Sequence, residues 1–94
     1  MYIAVTHNIS EPREFWEGAS KAMPSLPKNI ILHQSFPSPD GKKAVCIWEA
    51  ESVEVLRNLL ESVSGQVSQN DYFAIENKEG IMLPKLFQQR AGAA

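Results

Sequence analysis

Short runs of β-favouring residues and two stretches with helical spacing divide this chain, and their order is strand, helix, strand, strand, helix, strand. Residues 2–7 form the first β-rich run. Asn8-Ile9-Ser10-Glu11-Pro12 then supplies a capping residue and a proline tolerated in a first helical turn, so strand one ends and helix one begins there. Phe15, Ala19 and Ala22, flanked by Trp16 and Met23, recur at helical spacing, while Arg13, Glu17 and Lys21 fall largely on other sides. That helix has one buried face. Pro24 and Pro27 cannot continue it without losing hydrogen bonds, which predicts an end near Ala22.

Ile30 to Phe36 reads as a second strand and Lys43 to Glu49 as a third. Between them, Pro37-Ser38-Pro39-Asp40-Gly41 is concentrated turn chemistry, which predicts an antiparallel hairpin. Ser52 can cap a second helix with Val53, Leu56, Leu59, Leu60 and Val63 on one face, and Gly65 stands where a C′ glycine belongs. Gln69 to Ile75 is the fourth strand, polar at its start and aromatic or aliphatic later.

A β-α-β-β-α-β order with right-handed crossovers is the ferredoxin-like, split β-α-β arrangement: α+β, with two helices on one face of a four-stranded antiparallel sheet. The second face is then uncovered. Neither register of strands one to three is wholly polar, as Ile3/Val5 against Tyr2/Ala4, Ile30/Leu32 against Ile31/His33 and Val45/Ile47 against Cys46/Trp48 show. A second copy of the chain, sheet facing sheet, is the expected cover, which makes the expected partner the chain itself as a homodimer. Residues 1–80 are expected to form the domain and residues 81–94 a C-terminal extension. Within it Ile81 to Phe87 carries apolar residues that call for burial on the sheet or on a partner, before a mobile tail.

Composition bounds the function. Ninety-four residues suit one domain with one core. A net charge of −2, with nine basic residues scattered among eleven acidic ones, gives no footprint for a phosphate backbone, so no nucleic-acid partner is expected. Lys42 and Lys43, the only basic cluster, read as solvated hairpin residues. The N-terminal run is too short and too lacking in basic residues for a signal segment or a membrane span, so no membrane partner is expected. Cys46, the single cysteine, cannot form an internal disulfide, and a reducing, cytoplasmic setting fits.

The candidate chemistry rests on few residues. His7 and His33 carry the side chain best suited to proton transfer near neutral pH or to a borderline metal. Cys46 lies in an apolar strand, where a free thiol packs as a small hydrophobe unless a base stands beside it. Trp48 shares its strand parity and could line a pocket or fill a dimer core, and Tyr72 offers a phenolic hydroxyl. Trp16 belongs with the core face of helix one. Glu49, Glu51 and Glu54 suit the positive end of the second helix's dipole. No Ser-His-Asp ordering, Gly-rich phosphate loop, HExxH or CxxC is written in the chain, and no cofactor motif is present.

Several segments carry a resemblance to a known family: Val5-Thr6-His7, Ala44-Val45-Cys46-Ile47-Trp48-Glu49-Ala50, Glu51-Ser52-Val53-Glu54-Val55-Leu56 and Asp71-Tyr72-Phe73-Ala74-Ile75. Over about residues 2–76 the chain resembles the dimeric α/β-barrel superfamily, which includes antibiotic-biosynthesis-type monooxygenases and many small relatives. The resemblance implies sheet-to-sheet pairing and transfers no catalytic residue, since members differ widely in chemistry. Two functional expectations stand beside it, the first motivated by aromatic-rich strands with two histidines and no cofactor motif. One is a small apolar or aromatic ligand held between helices and sheet, with cofactor-independent oxygenase or isomerase chemistry; the candidate ligand-binding residues are His7, His33, Cys46, Trp48 and Tyr72. The other follows a likeness to small proteins with a histidine ending strand one and a cysteine in strand three, some associated with divalent metals; the metal ligands would be His7, His33 and Cys46. A purely structural dimer is the third reading.

Overall fold

The structure, a computed structural model, describes residues 1–76. Its strands are β1 (Tyr2–Ile9), β2 (Ile31–Pro37), β3 (Lys43–Glu49) and β4 (Ser68–Ile75), and its helices are α1 (Pro12–Ala22) and α2 (Val53–Ser64), with a 3-10 turn at Met23–Ser25. The sheet is antiparallel in the order β2-β3-β1-β4. This is the ferredoxin-like α+β fold that the element order predicts. The expected split at residue 80, and the packing of Ile81 to Phe87, fall outside the described residues.

Local chemistry accounts for most element ends. Pro12 opens α1 in its first turn, where the missing N–H costs nothing, and Pro24 stands just past its end. Ser52 caps α2 by accepting a hydrogen bond from the backbone N–H of Val55 at 3.1 Å. The start of α1 departs from expectation. Strand β1 runs on to Ile9, Glu11 is the N-cap without a side-chain bond, and the Ser10 hydroxyl donates to the Val67 carbonyl at 3.1 Å. Its oxygen ties the β1–α1 junction to the approach of β4 and is not a helix cap.

The two glycines at element ends differ in kind. Gly41 takes φ +73° in the β2–β3 turn, the left-handed region that glycine enters without strain. Gly65 ends α2 with φ −62°, in ordinary helical backbone, so the left-handed cap suggested by its position is not formed. Space explains it better, since a Cβ there would lie 2.6 Å from the Glu61 carbonyl oxygen.

Register decides which residues meet the helices. Ile3 pairs with Trp48 and Ala74, Val5 with Cys46 and Tyr72, and His7 with Ala44 and Asn70, so all of these share one face. On that face Ile3, Val5, Cys46 and Trp48 pack with Ile30, Ala50, Leu56 and Leu60. A second cluster joins Ile9, Ala44 and Phe15 of α1, with Trp16 and Val67 against it. Both helices therefore lie on the same face of the sheet. The opposite face carries Ala4, Ile47, Val45, Phe36, Ile31 and Phe73 in register, and no described element covers it.

Candidate functional site

Between the helices and the sheet lies a cavity of about 240 Å³. Its floor is the covered sheet face, which supplies His7 from β1, Leu32 and Ser35 from β2, and Cys46 and Trp48 from β3. Its roof is apolar, with Phe15, Trp16 and Ala19 from α1 and Leu59, Leu60 and Val63 from α2. Both tryptophans of the chain border it. On α1 the rings of Phe15 and Trp16 border the space beside the small side chains of Ala19 and Ala22.

His7 is the polar centre of the wall. Asn70, its cross-strand neighbour on β4, stands between it and α2. The Glu61 carboxylate can only accept hydrogen bonds, so the Asn70 Nδ2 that lies 2.8 Å from Glu61 Oε2 is the amide's donor end. That orients Asn70 Oδ1 toward His7, 2.6 Å from Nδ1, which must therefore carry the proton. Ser68 donates to the same Oδ1 at 2.6 Å. Among the described residues the ring makes no other hydrogen bond, so Nε2 keeps its lone pair. Burial holds the His7 pKa below the usual imidazole value, against the smaller opposing pulls of Asn70 and the Glu61 charge. His7 is thus a neutral imidazole with one defined tautomer, seated edge-on to Phe15 at 5.1 Å between centroids.

Tyr72 completes this chain of contacts from the other side. Its hydroxyl donates to Glu61 Oε2 at 2.6 Å, and Arg57 sits 5.2 Å from its ring centre. Burial first, and then the bond to the Glu61 carboxylate, raise the Tyr72 pKa, so the phenol stays protonated. The Tyr72 and Asn70 bonds in turn hold the Glu61 carboxyl below its usual value. Tyr72 steadies Glu61 and does not line the cavity.

Cys46 does line it, with its thiol 3.4 Å from the Ser35 hydroxyl. Burial raises the thiol pKa, so Cys46 presents a neutral sulfur and no thiolate nucleophile. Trp48 borders the same space, and its Nε1 is the one buried side-chain nitrogen or oxygen among the described residues without a hydrogen-bond partner.

His33 goes elsewhere. A bulge between Leu32 and Gln34 shifts the β2–β3 register at this residue. Its imidazole bonds Glu49 Oε1 at 2.9 Å and lies 5.5 Å from the Tyr2 ring, both on the uncovered face. Within one chain His7 and His33 therefore sit on opposite sides of the sheet. Among the described residues no group of three or more His, Cys, Asp and Glu side chains is placed to hold a metal ion.

Of the five residues singled out from the sequence, the fold brings His7, Cys46 and Trp48 into one cavity and leaves His33 and Tyr72 outside it. Asn70 and Glu61 went unnoticed. The signal for Asn70 was available, since an amide stands on the same strand parity as Tyr72 and opposite His7. Glu61 gave no such signal, because an exposed glutamate next to Leu60 reads as the solvent side of a helix. No family model matches the chain, and no curated protein or solved structure shows significant similarity to it.

Proposed function

We propose that this chain is a small-molecule-binding protein of the dimeric α/β-barrel kind, whose cavity takes a small, largely apolar or aromatic molecule and presents His7 to it as a base. The observation that carries the reading is an apolar cavity whose wall holds one neutral imidazole with a fixed Nδ1–H and a free Nε2. Enclosure by aromatic and aliphatic side chains favours burial of a ring, at about 25 cal/mol per Å² of apolar surface removed from water.

The chemistry open to such a site without a cofactor begins with removal of an acidic C–H or O–H proton by Nε2. Return of that proton at another carbon is an isomerisation. Capture of the resulting carbanion by dioxygen is an oxygenation, RH2 + O2 → RO + H2O, in which the ligand is oxidised and dioxygen is reduced. A neutral base suits either course, because an imidazole already protonated could not start it.

The same reading places a second copy of the chain over the open sheet face. Phe36, Phe73, Ile31 and Val45 are 56%, 51%, 44% and 43% exposed there, four of the seven large exposed apolar residues described. Four strands at about 4.8 Å spacing and some 25 Å long offer a projected face of about 480 Å², more than half of the about 800 Å² that each partner gives to a standard interface. A twofold pairing sets this patch against itself.

Tryptophan fluorescence tests the ligand reading, since Trp16 and Trp48 both border the cavity. Titration with a panel of polycyclic phenols and quinone precursors is expected to quench it saturably, and His7→Phe is expected to abolish any turnover while leaving quenching. A panel that gives neither quenching nor turnover rejects the proposal.

A further inference from the structure

The cavity wall changes character from one side to the other. Across the sheet one register row runs Tyr72, Val5, Cys46, Ser35, and β2, which carries Ser35, is an edge strand. Val5 and Cys46 are buried, whereas Ser35 is exposed. The Cys46 thiol donates to the Ser35 hydroxyl at 3.4 Å, which puts that hydroxyl on the helix side of the sheet. The roof follows the same gradient, since Phe15 and Leu60 are buried while Met23 is 38% exposed and Ser20 is exposed. Ser20 and Met23 are one helical turn apart, where α1 passes into the 3-10 turn. Among the described residues the cavity therefore meets water between the end of α1 and the β2 edge, with Ser20, Met23 and Ser35 as its rim.

Resting on the reading that the cavity holds a small molecule, we propose that its occupant binds body first. An apolar body of about two fused rings fills the inner end, and its one strongly polar group stays at the rim formed by Ser20, Met23 and Ser35.

Charge and bonding set that orientation. None of the lining residues is Lys, Arg, Asp or Glu, so an ionised group carried inward would lose its hydration and gain no counter-ion. The small polar side chains of the inner wall are engaged already, Ser64 with the Leu60 carbonyl at 3.1 Å and Cys46 with Ser35. At the rim the same group keeps its water, and the Ser35 hydroxyl, which accepts from the thiol, still has its own proton to donate. Volume sets the size of the body. A cavity of ~150 Å³ lined by aliphatic and aromatic side chains holds one benzene ring, so about 240 Å³ holds about half as much again.

Naphthalene, 2-naphthoate and naphthalene-2,6-dicarboxylate share one body and differ in how many ends are charged, and their dissociation constants would be measured by equilibrium dialysis. 2-Naphthoate is expected to bind within about tenfold of naphthalene, and the dicarboxylate, which must carry one charge inward, about a hundredfold more weakly than 2-naphthoate. Ser20→Lys and Ser20→Glu locate the polar end. At low salt 2-naphthoate should bind about tenfold tighter to Ser20→Lys than to Ser20→Glu, and naphthalene equally to both. Ala19→Leu, which fills space under α1, should weaken naphthalene and 2-naphthoate alike by about tenfold. Equal affinity for the two carboxylates, or no difference between the Ser20 variants, would overturn this inference, while naphthalene binding that Ala19→Leu weakens keeps the cavity reading. If naphthalene does not bind, or Ala19→Leu leaves its binding unchanged, both fall.

Discussion

The two faces of the sheet are built from the same four strands and the same alternation, yet they end in opposite states. On the helix side Ile3, Val5 and Leu56 are sealed completely, and the polar residues that intrude are bonded into a chain from His7 through Asn70 to Glu61 and Tyr72. On the other side no described element covers Phe36, Phe73 and Val45, and His33 and Glu49 bond each other. Each face holds one histidine. Strand parity for His7, and the bulge at Leu32/Gln34 for His33, assign one imidazole to the cavity wall and the other to the uncovered sheet face. Residue type does not make a site; what the neighbouring strand and helix place around it does.

The largest test of that contrast is a pair of truncations. Leu56→Ala removes a side chain with no exposure from the closed face and is expected to cost about 2–5 kcal/mol in urea denaturation. Phe73→Ala, on the open face, is expected to change stability by less than about 0.5 kcal/mol when parent and variant both carry Phe36→Asp to hold the chain monomeric. Similar losses at both positions would erase the distinction between the faces.

Assembly sharpens the same comparison. The chain is expected to sediment near twice its 10.5 kDa mass at micromolar concentration. Phe36→Asp with Phe73→Asp should return it to 10.5 kDa with its helical signal intact, because neither side chain touches the core. A wild-type chain that stays monomeric would leave the open face as a solvated surface and remove the dimer from the proposal.

The open face was readable in outline from the sequence, and the closed face only in part. Alternation in Lys43 to Glu49 already set Cys46 and Trp48 together, and helical spacing grouped Leu56 with Leu60. The partition of the histidines was not readable, because a bulge at Leu32/Gln34 breaks the period of two where His33 stands. Asn70 and Glu61 were missed for another reason. Their roles depend on the β1–β4 register and on how α2 crosses β4, contacts that join residues 63 and 9 apart in the chain. The capping residue expected within Asn8 to Pro12 is not formed at Ser10, because capping chemistry and strand-to-loop bonding use the same hydroxyl, and local sequence does not say which acceptor or donor will come near.

A smaller effect probes the chain of hydrogen bonds behind His7. Tyr72→Phe removes the hydroxyl that donates to Glu61 while keeping the ring under Arg57, and is expected to cost about 1 kcal/mol. If the network holds His7 in one tautomer, the variant should also broaden the His7 ring signals in nitrogen-15 spectra. A variant as stable as the parent, with unchanged His7 signals, would reduce Tyr72 to packing.

The gentlest test is pH. His7 is surrounded by Phe15 from α1, Cys46 and Ala44 from β3, Asn70 from β4 and the Glu61 carboxylate of α2, and burial outweighs Glu61 in setting its proton affinity. In the unfolded chain the imidazole titrates at its ordinary value of 6.5, and in the folded chain it titrates lower. Between those two values the unfolded state binds more protons, so the stability present above pH 6.5 is lost as pH falls toward the folded value. For one proton the slope cannot exceed about 1.4 kcal/mol per pH unit. Glu61 and Asp40, whose carboxyls are held low, also lose stability in acid, but only below their ordinary values of 4.5 and 3.8. The windows are therefore separate. Urea midpoints measured from pH 7.5 to pH 5 should fall in the parent and stay nearly level in His7→Phe, with the acid limb below pH 4.5 common to both. A parent and variant that decline in parallel between pH 6.5 and pH 5 would show that the wall imidazole is not held neutral by its burial, and with it the base proposed for the cavity would be lost.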